Sequence, residues 1–305
     1  MKAFLYGKNI LFEFKFDWKL KDRVKALFPD QMKFNQFKKY PNHWSVSTSY
    51  VAHPASRISK LIEFCAAEGF VLDDDVRTFL EESRDSQEEY HKLSTSIDSD
   101  FDVQGLLLVP RPYQKAGIRY MVETKRCLNA DTVRLGKSLQ SLAAIHHLKA
   151  YPTLIICKSG LMYNWKAEII KSLGSDSIYI CEKVSSGVQL EKDFVIVNPE
   201  KLSKLVGELK TYNFQSSVFD EAHSCGNPNT AKFKALQEVT KKVPVRYALT
   251  GTPIRNKAHE ICNILNYLGR LSEFGGKWGL INEHYHVSED FRIGEAKNLN
   301  LLHDK

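Results

Sequence analysis

The 305-residue sequence predicts an α/β protein in which a parallel sheet flanked by helices follows a small α+β domain. Three observations carry that reading. From about residue 126 onward, short β-rich apolar runs alternate with helical patterns, and strands separated by helices call for right-handed crossovers and a parallel sheet. The stretches that carry reactive side chains directly follow those runs, where an open parallel sheet keeps its ligand crevice. The first hundred residues have a different texture, mixing strand-like segments with amphipathic helices.

In chain order, the amino-terminal part opens with strand-like 10-ILFEFKF-16 and the helix 18-WKLKDRVKALF-28, with Leu20, Val24 and Leu27 on one face. Next come 44-WSVS-47 and a second helix, 54-PASRISKLIEFCAAEG-69, that stops at Gly69. The polar, acidic segment 81–102 reads as a linker or a charged helix, so the expected boundaries are 1–82, a linker at 83–104, and a second domain at 105–305. In that second domain the strands are 126-RCLNA-130, 153-TLIIC-157, 194-FVIVN-198, 217-SVFD-220 and 245-VRYALT-250. The helices between and after them cover about 138–149, 161–172, 200–209, 230–241 and 257–269.

Composition narrows the class. With 43% hydrophobic and 26% charged residues the chain is globular. No apolar run approaches the roughly 18 residues of a membrane span, and Lys8, Asn9, Glu13 and Lys15 interrupt any signal-peptide core. A soluble intracellular protein, cytoplasmic or nucleoid-associated, with no membrane partner is expected. The six cysteines form no Cys-x-x-Cys pair, which points to buried, reduced thiols. Residues 1–60 hold twelve Lys and Arg against four acids, whereas 61–102 hold three against thirteen. A basic first segment suits a polyanion or a merely solvated face, and charge alone leaves both open.

Three motifs carry chemistry. The stretch 130-ADTVRLGKS-138 sits between a strand and a helix and ends in Gly136-Lys137-Ser138, as a phosphate-binding loop does. In such a loop, backbone N–H groups and a helix N-terminus surround phosphates. Lys137 would pair with the β- and γ-phosphates and Ser138 would hold Mg²⁺. Yet Asp131 stands where the opening glycine belongs, and Val133, Arg134 and Leu135 are bulky. A Gly-Lys-Ser alone also arises by chance. The second motif, 220-DEAH-223, ends an apolar strand: Asp220 can hold Mg²⁺ while Glu221 orients and deprotonates an attacking water. A surface Asp-Glu pair is the bland alternative, but it leaves the order and strand-terminal placement of both motifs unexplained. The third, 249-LTGTPIRN-256, offers the hydroxyls of Thr250 and Thr252 around a turn shaped by Gly251 and Pro253.

Taken in order, RPYQ (111–114), ADTVRLGKS (130–138), DEAH (220–223) and LTGTPIRN (249–256) resemble superfamily 2 helicase motors, and most closely the Swi/Snf-like translocases of double-stranded DNA. The stretches 155-IICKSGLMYNWKAEI-169, 194-FVIVNPEKL-202 and 223-HSCGNPNTAKFKAL-236 add to the likeness, which covers about 106–303. The resemblance implies a RecA-like P-loop lobe that uses ATP and Mg²⁺ and acts on DNA. It implies that Gln114 reads the adenine beside Arg111 and Tyr113, and that Asp131, Thr132, Val133, Arg134, Leu135, Gly136, Lys137 and Ser138 form the cradle. Lys137, Asp220, Glu221 and His223 would be catalytic, with His223 coupling the nucleotide to Thr250, Gly251 and Thr252. Lys158 and Ser159 would face a DNA backbone phosphate, a contact that gives affinity without sequence readout.

Departures from the pattern are informative. An acidic residue at 131 is ordinary in this group, but Arg134 stands where glycine is usual, Thr132 replaces a common acid, and Lys158 replaces a proline. Trp44 and Trp165 could stack on bases, but aromatics at strand or helix spacing are more often core. The segment from Trp18 through 43-HWSVS-47 to 64-FCAAEGF-70 is loosely similar to the HARP-like accessory domain of annealing helicases. Lys15, Lys19, Lys21, Arg23, Lys25, Lys33, Lys38 and Lys39 would be its phosphate-binding surface.

Such motors close a second RecA-like lobe over the ATP, and its arginine finger contributes roughly 10³–10⁵ in rate. No second-lobe motif follows 249–256, so the expectation is either a truncated chain or one half of a split motor whose second lobe is another polypeptide, with weak ATP binding and slow turnover until a second lobe and DNA are supplied. The competing reading is a non-hydrolysing DNA-binding or regulatory protein that keeps the lobe fold, with Arg134 as the mark of decay. A P-loop kinase or GTPase fits DEAH and TGTP together poorly.

Overall fold

The structure, a computed structural model, describes all residues except 16, 30, 53–54, 183–190, 226–227, 253–257, 288–292 and 297–305. Contacts divide the chain into two units, Met1–Lys92 with the segment from Leu271 onward, and Leu93–Arg270.

The first unit is built on a five-stranded sheet of order β3-β4-β2-β1-β5. Its elements are β1 (Lys2–Tyr6), β2 (Asn9–Glu13), α1 (Trp18–Leu27), β3 (Lys33–Phe34), β4 (Trp44–Ser47), α2 (Thr48–Val51), α3 (Ala55–Glu68), β5 (Val71–Leu72) and α4 (Asp74–Thr95). β1 and β2 pair antiparallel across the turn at Gly7, whose φ of +58° suits a residue without a Cβ. Helix α1 starts where Asp17 accepts the Leu20 N–H at 2.6 Å, and it buries the predicted Leu20, Val24 and Leu27. Those side chains pack with Ile10, Phe12, Val46, Ile58, Leu61 and Trp44, so Trp44 is core.

The second unit carries a six-stranded sheet of order β6-β11-β10-β7-β9-β8, parallel throughout. Its elements are α5 (Pro112–Thr124), β6 (Arg126–Asn129), α6 (Lys137–Leu148), β7 (Thr153–Ile156), α7 (Met162–Leu173), β8 (Ile178–Ile180), β9 (Phe194–Val197), α8 (Pro199–Leu209), β10 (Ser216–Asp220), α9 (Ala231–Thr240), β11 (Val245–Leu249) and α10 (Ala258–Leu268). Successive strand residues face opposite sides. Ile155, Ile196, Val218 and Tyr247 pack against Ile118, Leu142, Trp165 and Ile169 of α5, α6 and α7. Leu154, Ile156, Val197, Phe219 and Ala248 pack against Leu202, Phe233, Leu236 and Ile264 of α8, α9 and α10. Helices thus cover both faces, as the alternating pattern predicts. Burial also raises the thiols, Cys157 to about 12 and Cys127 to about 11.

Two features depart from the expected boundaries. The acidic stretch that reads as a linker or a charged helix is helical as far as Thr95: Val76 and Leu80 bury the start of α4 in the first unit's core, and Asp74 and Asp75 suit its N-terminal dipole. The tail is the other. From Leu271 it groups with the first unit and forms α11 (Gly276–His284), β12 (Tyr285–Val287) and β13 (Ile293–Ala296). Within that unit the buried Arg57 guanidinium donates to the Tyr50 carbonyl at 3.1 Å and the Glu273 carbonyl at 2.6 Å, and Gln31 Nε2 donates to the Gly275 carbonyl at 3.1 Å. A buried guanidinium must place its N–H groups on acceptors, which ties residue 273 to α3.

Candidate active site

The loop between β6 and α6 is shaped by two left-handed residues. Gly136, at φ +80°, delivers the chain into the first turn of α6, and Arg134 is held at φ +69°. The position where glycine is usual in the resembling motors is therefore one whose backbone favours glycine, and an arginine occupies it under strain. Thr132, Val133, Arg134 and Leu135 are exposed, while Asp131, Gly136, Lys137 and Ser138 are half-buried. Lys137 Nζ donates to the Asp131 carbonyl at 2.7 Å and the Thr132 carbonyl at 3.1 Å. Its ammonium thus lies along the inner rim of the loop.

Side-chain amides hold that loop from beneath. Gln140, fully buried, accepts from Asn129 Nδ2 at 2.9 Å and donates to Asp131 Oδ2 at 2.9 Å. Asn129 Oδ1 in turn accepts the Asp131 N–H at 3.0 Å. Asp131 therefore takes part in a closed polar network at the place where a glycine would leave a gap, which gives the acid a structural reason to be there. Gln114, in the first turn of α5, accepts the Arg111 N–H at 2.9 Å and donates to the Leu135 carbonyl at 3.1 Å. A Cβ placed on Gly136 would lie 2.3 Å from Gln114 Nε2, so a side chain there would have to displace the Gln114 amide as well as hold the left-handed backbone. Tyr113 is half-buried beside Gln114, and the Arg111 side chain is exposed.

The acidic motif emerges at the carboxyl end of β10, between β7 and β11. Asp220 Oδ1 accepts the Glu221 N–H at 2.9 Å, and Oδ2 accepts the Trp165 indole N–H at 2.9 Å. Burial raises the Asp220 pKa, opposed by the indole hydrogen bond, and the nearby Glu221 raises it further. Glu221 has φ +52°, which turns the chain sharply after the strand. Buried His223 places Nδ1 3.1 Å from Glu221 Oε2 and 2.9 Å from Thr250 Oγ1. In the tautomer with its hydrogen on Nδ1, the ring can donate to that carboxylate, which only accepts.

The third motif joins the first two. The Thr250 N–H donates to the Asn129 carbonyl at 3.1 Å, and Thr250 Oγ1 accepts the Thr252 N–H at 3.1 Å. Gly251 packs so closely on the loop that an added Cβ would lie 3.1 Å from Val133 Cγ1. Pro253, Ile254, Arg255 and Asn256, the remainder of that motif, lie outside the described residues, as does Asn227 of the stretch after DEAH.

Lys158 and Ser159 stand apart from this cluster, exposed beyond β7. Ser159 Oγ accepts from Asn198 Nδ2 at 2.6 Å, and Asn198 Oδ1 accepts the Lys201 N–H at 2.8 Å to cap α8. The stretches 155–169 and 194–202 are thereby pinned to each other.

Sequence reasoning passed over Asn129, Gln140, Asn198 and the polar edge of Trp165. Asn129 and Asn198 each end a buried strand with an amide, a detectable signal because an amide there needs a partner. Gln140 lies on the apolar face of α6, an equally readable anomaly. Nothing in the sequence aims the Trp165 indole at Asp220.

A six-stranded parallel sheet with a Gly-Lys-Ser loop opening a helix, and an acidic pair at the end of a central strand, is the plan of a P-loop nucleotide-binding lobe. The donors also fit a hard divalent cation, which takes oxygen ligands: the Asp220 carboxylate keeps a lone pair on each oxygen, and Ser138 brings a hydroxyl to the helix start. The SNF2-related domain profile matches residues 113–277, and the chain belongs to that family.

Curated relatives include the DNA repair protein rhp54 of Schizosaccharomyces pombe, 29% identical over a 210-residue alignment that covers 55% of this chain and 24% of that protein. The human DNA annealing helicase and endonuclease ZRANB3 is 26% identical over 208 residues, 63% of this chain and 19% of its own length. The chain therefore spans about a quarter or less of these relatives. Among solved structures, the Sulfolobus solfataricus SWI2/SNF2 ATPase core in complex with dsDNA matches with a TM-score of 0.54 and 30% identity, over 60% of this chain and 40% of that one. No helix among the described residues is long and apolar enough to cross a membrane.

Proposed function

We propose that this chain supplies the ATP-binding lobe of a DNA-dependent ATPase of the Swi/Snf-like helicase and translocase type. Its target is duplex or branched DNA, and it reaches full turnover when a second RecA-like lobe, in the same polypeptide or in trans, closes over the nucleotide. One observation carries the reading: Thr250 binds the base of the phosphate loop through Asn129 and the acidic motif through His223, so all three motifs form one connected site.

In this reading Lys137 leaves the Asp131 and Thr132 carbonyls to pair with the β- and γ-phosphates, while the N–H groups at the start of α6 meet the same oxygens. Gln114, Arg111 and Tyr113 border the adenine. Ser138 and Asp220 would hold Mg²⁺, which would supply positive charge to offset that of the phosphates. Glu221 orients and deprotonates the attacking water, and its tie to His223 and Thr250 passes the nucleotide state to Thr252. Lys158 and Ser159 meet the DNA backbone, and the basic segment 1–60 adds phosphate contacts and, as the loose HARP-like resemblance around it suggests, favours branched substrates. The DNA repair, annealing-helicase and dsDNA-bound relatives support this assignment.

The test is phosphate release measured with and without forked DNA, before and after a second lobe is added. Slow basal release that rises by orders of magnitude on both additions, and vanishes in Lys137→Ala, is the expected result. Turnover indifferent to Lys137, or no Mg-ATP affinity at all, would return the chain to the class of non-hydrolysing DNA-binding proteins.

A further inference from the structure

The indole of Trp165 sits in the core between α7 and the sheet, 3% exposed, yet its N–H is not merely accommodated there. It donates to Oδ2 of Asp220, 55 residues away in sequence, at 2.9 Å. The other oxygen, Oδ1, accepts the backbone N–H of Glu221 at 2.9 Å. Two donors, one per oxygen, fix the plane of a carboxylate, and each oxygen keeps one lone pair free. One donor is backbone at a strand end, and the other belongs to a ring immobilised by packing. Neither can swing away as a solvated side chain would.

We propose that Trp165 is the positioning residue for Asp220. By holding Oδ2, it aims the remaining lone pairs of that carboxylate for a divalent cation, and it does so from the helix that directly follows the exposed Lys158–Ser159 turn. The role rests on the ATP-site reading given above. It differs from the two roles an aromatic at this place suggests by spacing, a base-stacking platform or a plain core residue. A stacking platform must present its face to solvent, which a ring at 3% exposure does not. In a plain core role a phenyl ring would serve equally, with no N–H that burial obliges to find an acceptor.

That last contrast sets the experiment. Trp165→Phe keeps most of the ring packing and deletes the N–H. Binding of a fluorescent ATP analogue is measured in EDTA and across a Mg²⁺ titration, with Mn²⁺ binding followed in parallel by electron paramagnetic resonance. Loss of an outer partner of a metal ligand weakens metal affinity by roughly 10–100-fold. The expected result is a shift of that order in the Mg²⁺ and Mn²⁺ midpoints, with unchanged affinity for the metal-free nucleotide. Equal metal midpoints in the variant and the wild type would overturn the proposal. A parallel drop in metal-free affinity would do so too, since it marks general damage to the fold.

A second measurement does not depend on the variant folding. In ¹⁵N-indole-labelled wild-type protein, the Trp165 N–H resonance should move when Mg²⁺ is added with nucleotide, while those of Trp18, Trp44 and Trp278 stay. A Trp165 resonance indifferent to the metal would overturn the role. Wild-type protein with no metal-dependent nucleotide binding would instead sink the ATP-site reading on which the role depends.

Discussion

The Nδ1 of His223 lies 2.9 Å from the Thr250 hydroxyl oxygen, joining two motifs 27 residues apart at the ends of neighbouring strands. Both residues are buried, His223 at 7% and Thr250 at 1% exposure. Thr250→Val keeps the shape and removes the acceptor, and losing a hydrogen bond of this kind costs about 0.5–1.5 kcal/mol. The expected outcome is a small fall in the chemical-denaturation midpoint, near-normal ATP affinity, and a several-fold loss of DNA-stimulated turnover. Stimulation equal to wild type would show that this bond does not carry the coupling.

Gly136 and Gln114 give a sharper case. Gly136→Ala places a methyl 2.3 Å from Gln114 Nε2 and forces an L-residue to φ +80°, strain of order 1–3 kcal/mol. Nucleotide affinity should fall with stability. In a double-mutant cycle, Gln114→Ala should recover the steric part and leave the backbone part. Full recovery would mean that the left-handed conformation costs nothing here.

Arg134 makes the opposite prediction. It is exposed at φ +69°, and relieving a left-handed L-residue gains about 1–2 kcal/mol, partly offset by glycine's greater unfolded entropy. Arg134→Gly should therefore melt at the same temperature or slightly higher and still bind ATP, whereas Arg134→Val should melt lower. A large loss of ATP affinity in the glycine variant alone would assign the guanidinium a phosphate contact.

Gln140→Leu tests the polar floor of the loop. It strands buried Asn129 Nδ2, a cost of about 1–3 kcal/mol, and leaves half-buried Asp131 Oδ2 without that donor. Amide hydrogen exchange should quicken across 129–136, and ATP affinity should fall although no atom of Gln140 reaches the outer rim. Unchanged exchange there would locate the rigidity of the loop elsewhere.

Asp220 gives a pH dependence with a definite sign. Its folded pKa is raised above 3.8, chiefly by burial, so the folded state holds that proton more tightly than the unfolded chain does. The contribution of Asp220 to stability is most favourable below 3.8, declines as pH rises through the folded pKa, and is constant beyond it. The wild type should therefore lose stability relative to Asp220→Asn across that window. The pH-dependent part of the difference is the readout, because the amide also rearranges the hydrogen bonds to Trp165 and Glu221. A flat difference between the two would show that the carboxylate is not desolvated.

Much of the second unit was legible in the sequence because its signals are local. The runs at 153–157, 194–198, 217–220 and 245–250 are short, apolar and β-rich, and each matches a strand within a residue or so. Edge strand β8 escaped because Ile178-Tyr179-Ile180 is only three residues long and half-buried. Motif order alone fixed the family resemblance, and the profile match at 113–277 agrees with it. In the first unit, β1 and β5 were missed because their pairing is what makes them strands.

What the sequence determined by itself, then, is the alternation of buried strands and helices in the second unit, the identity of the reactive groups and their placement just beyond strand ends, since periodicity and motif spacing are properties of neighbouring residues. Tertiary structure alone decided which distant groups touch: Trp165 with Asp220, Gln140 with Asn129 and Asp131, His223 with Thr250, and the tail from Leu271 with the first unit. The physical reason is that a buried polar atom takes whichever partner the packed chain brings within about 3 Å. Sequence distance, 55 residues for Trp165 and Asp220, plays no part in that selection.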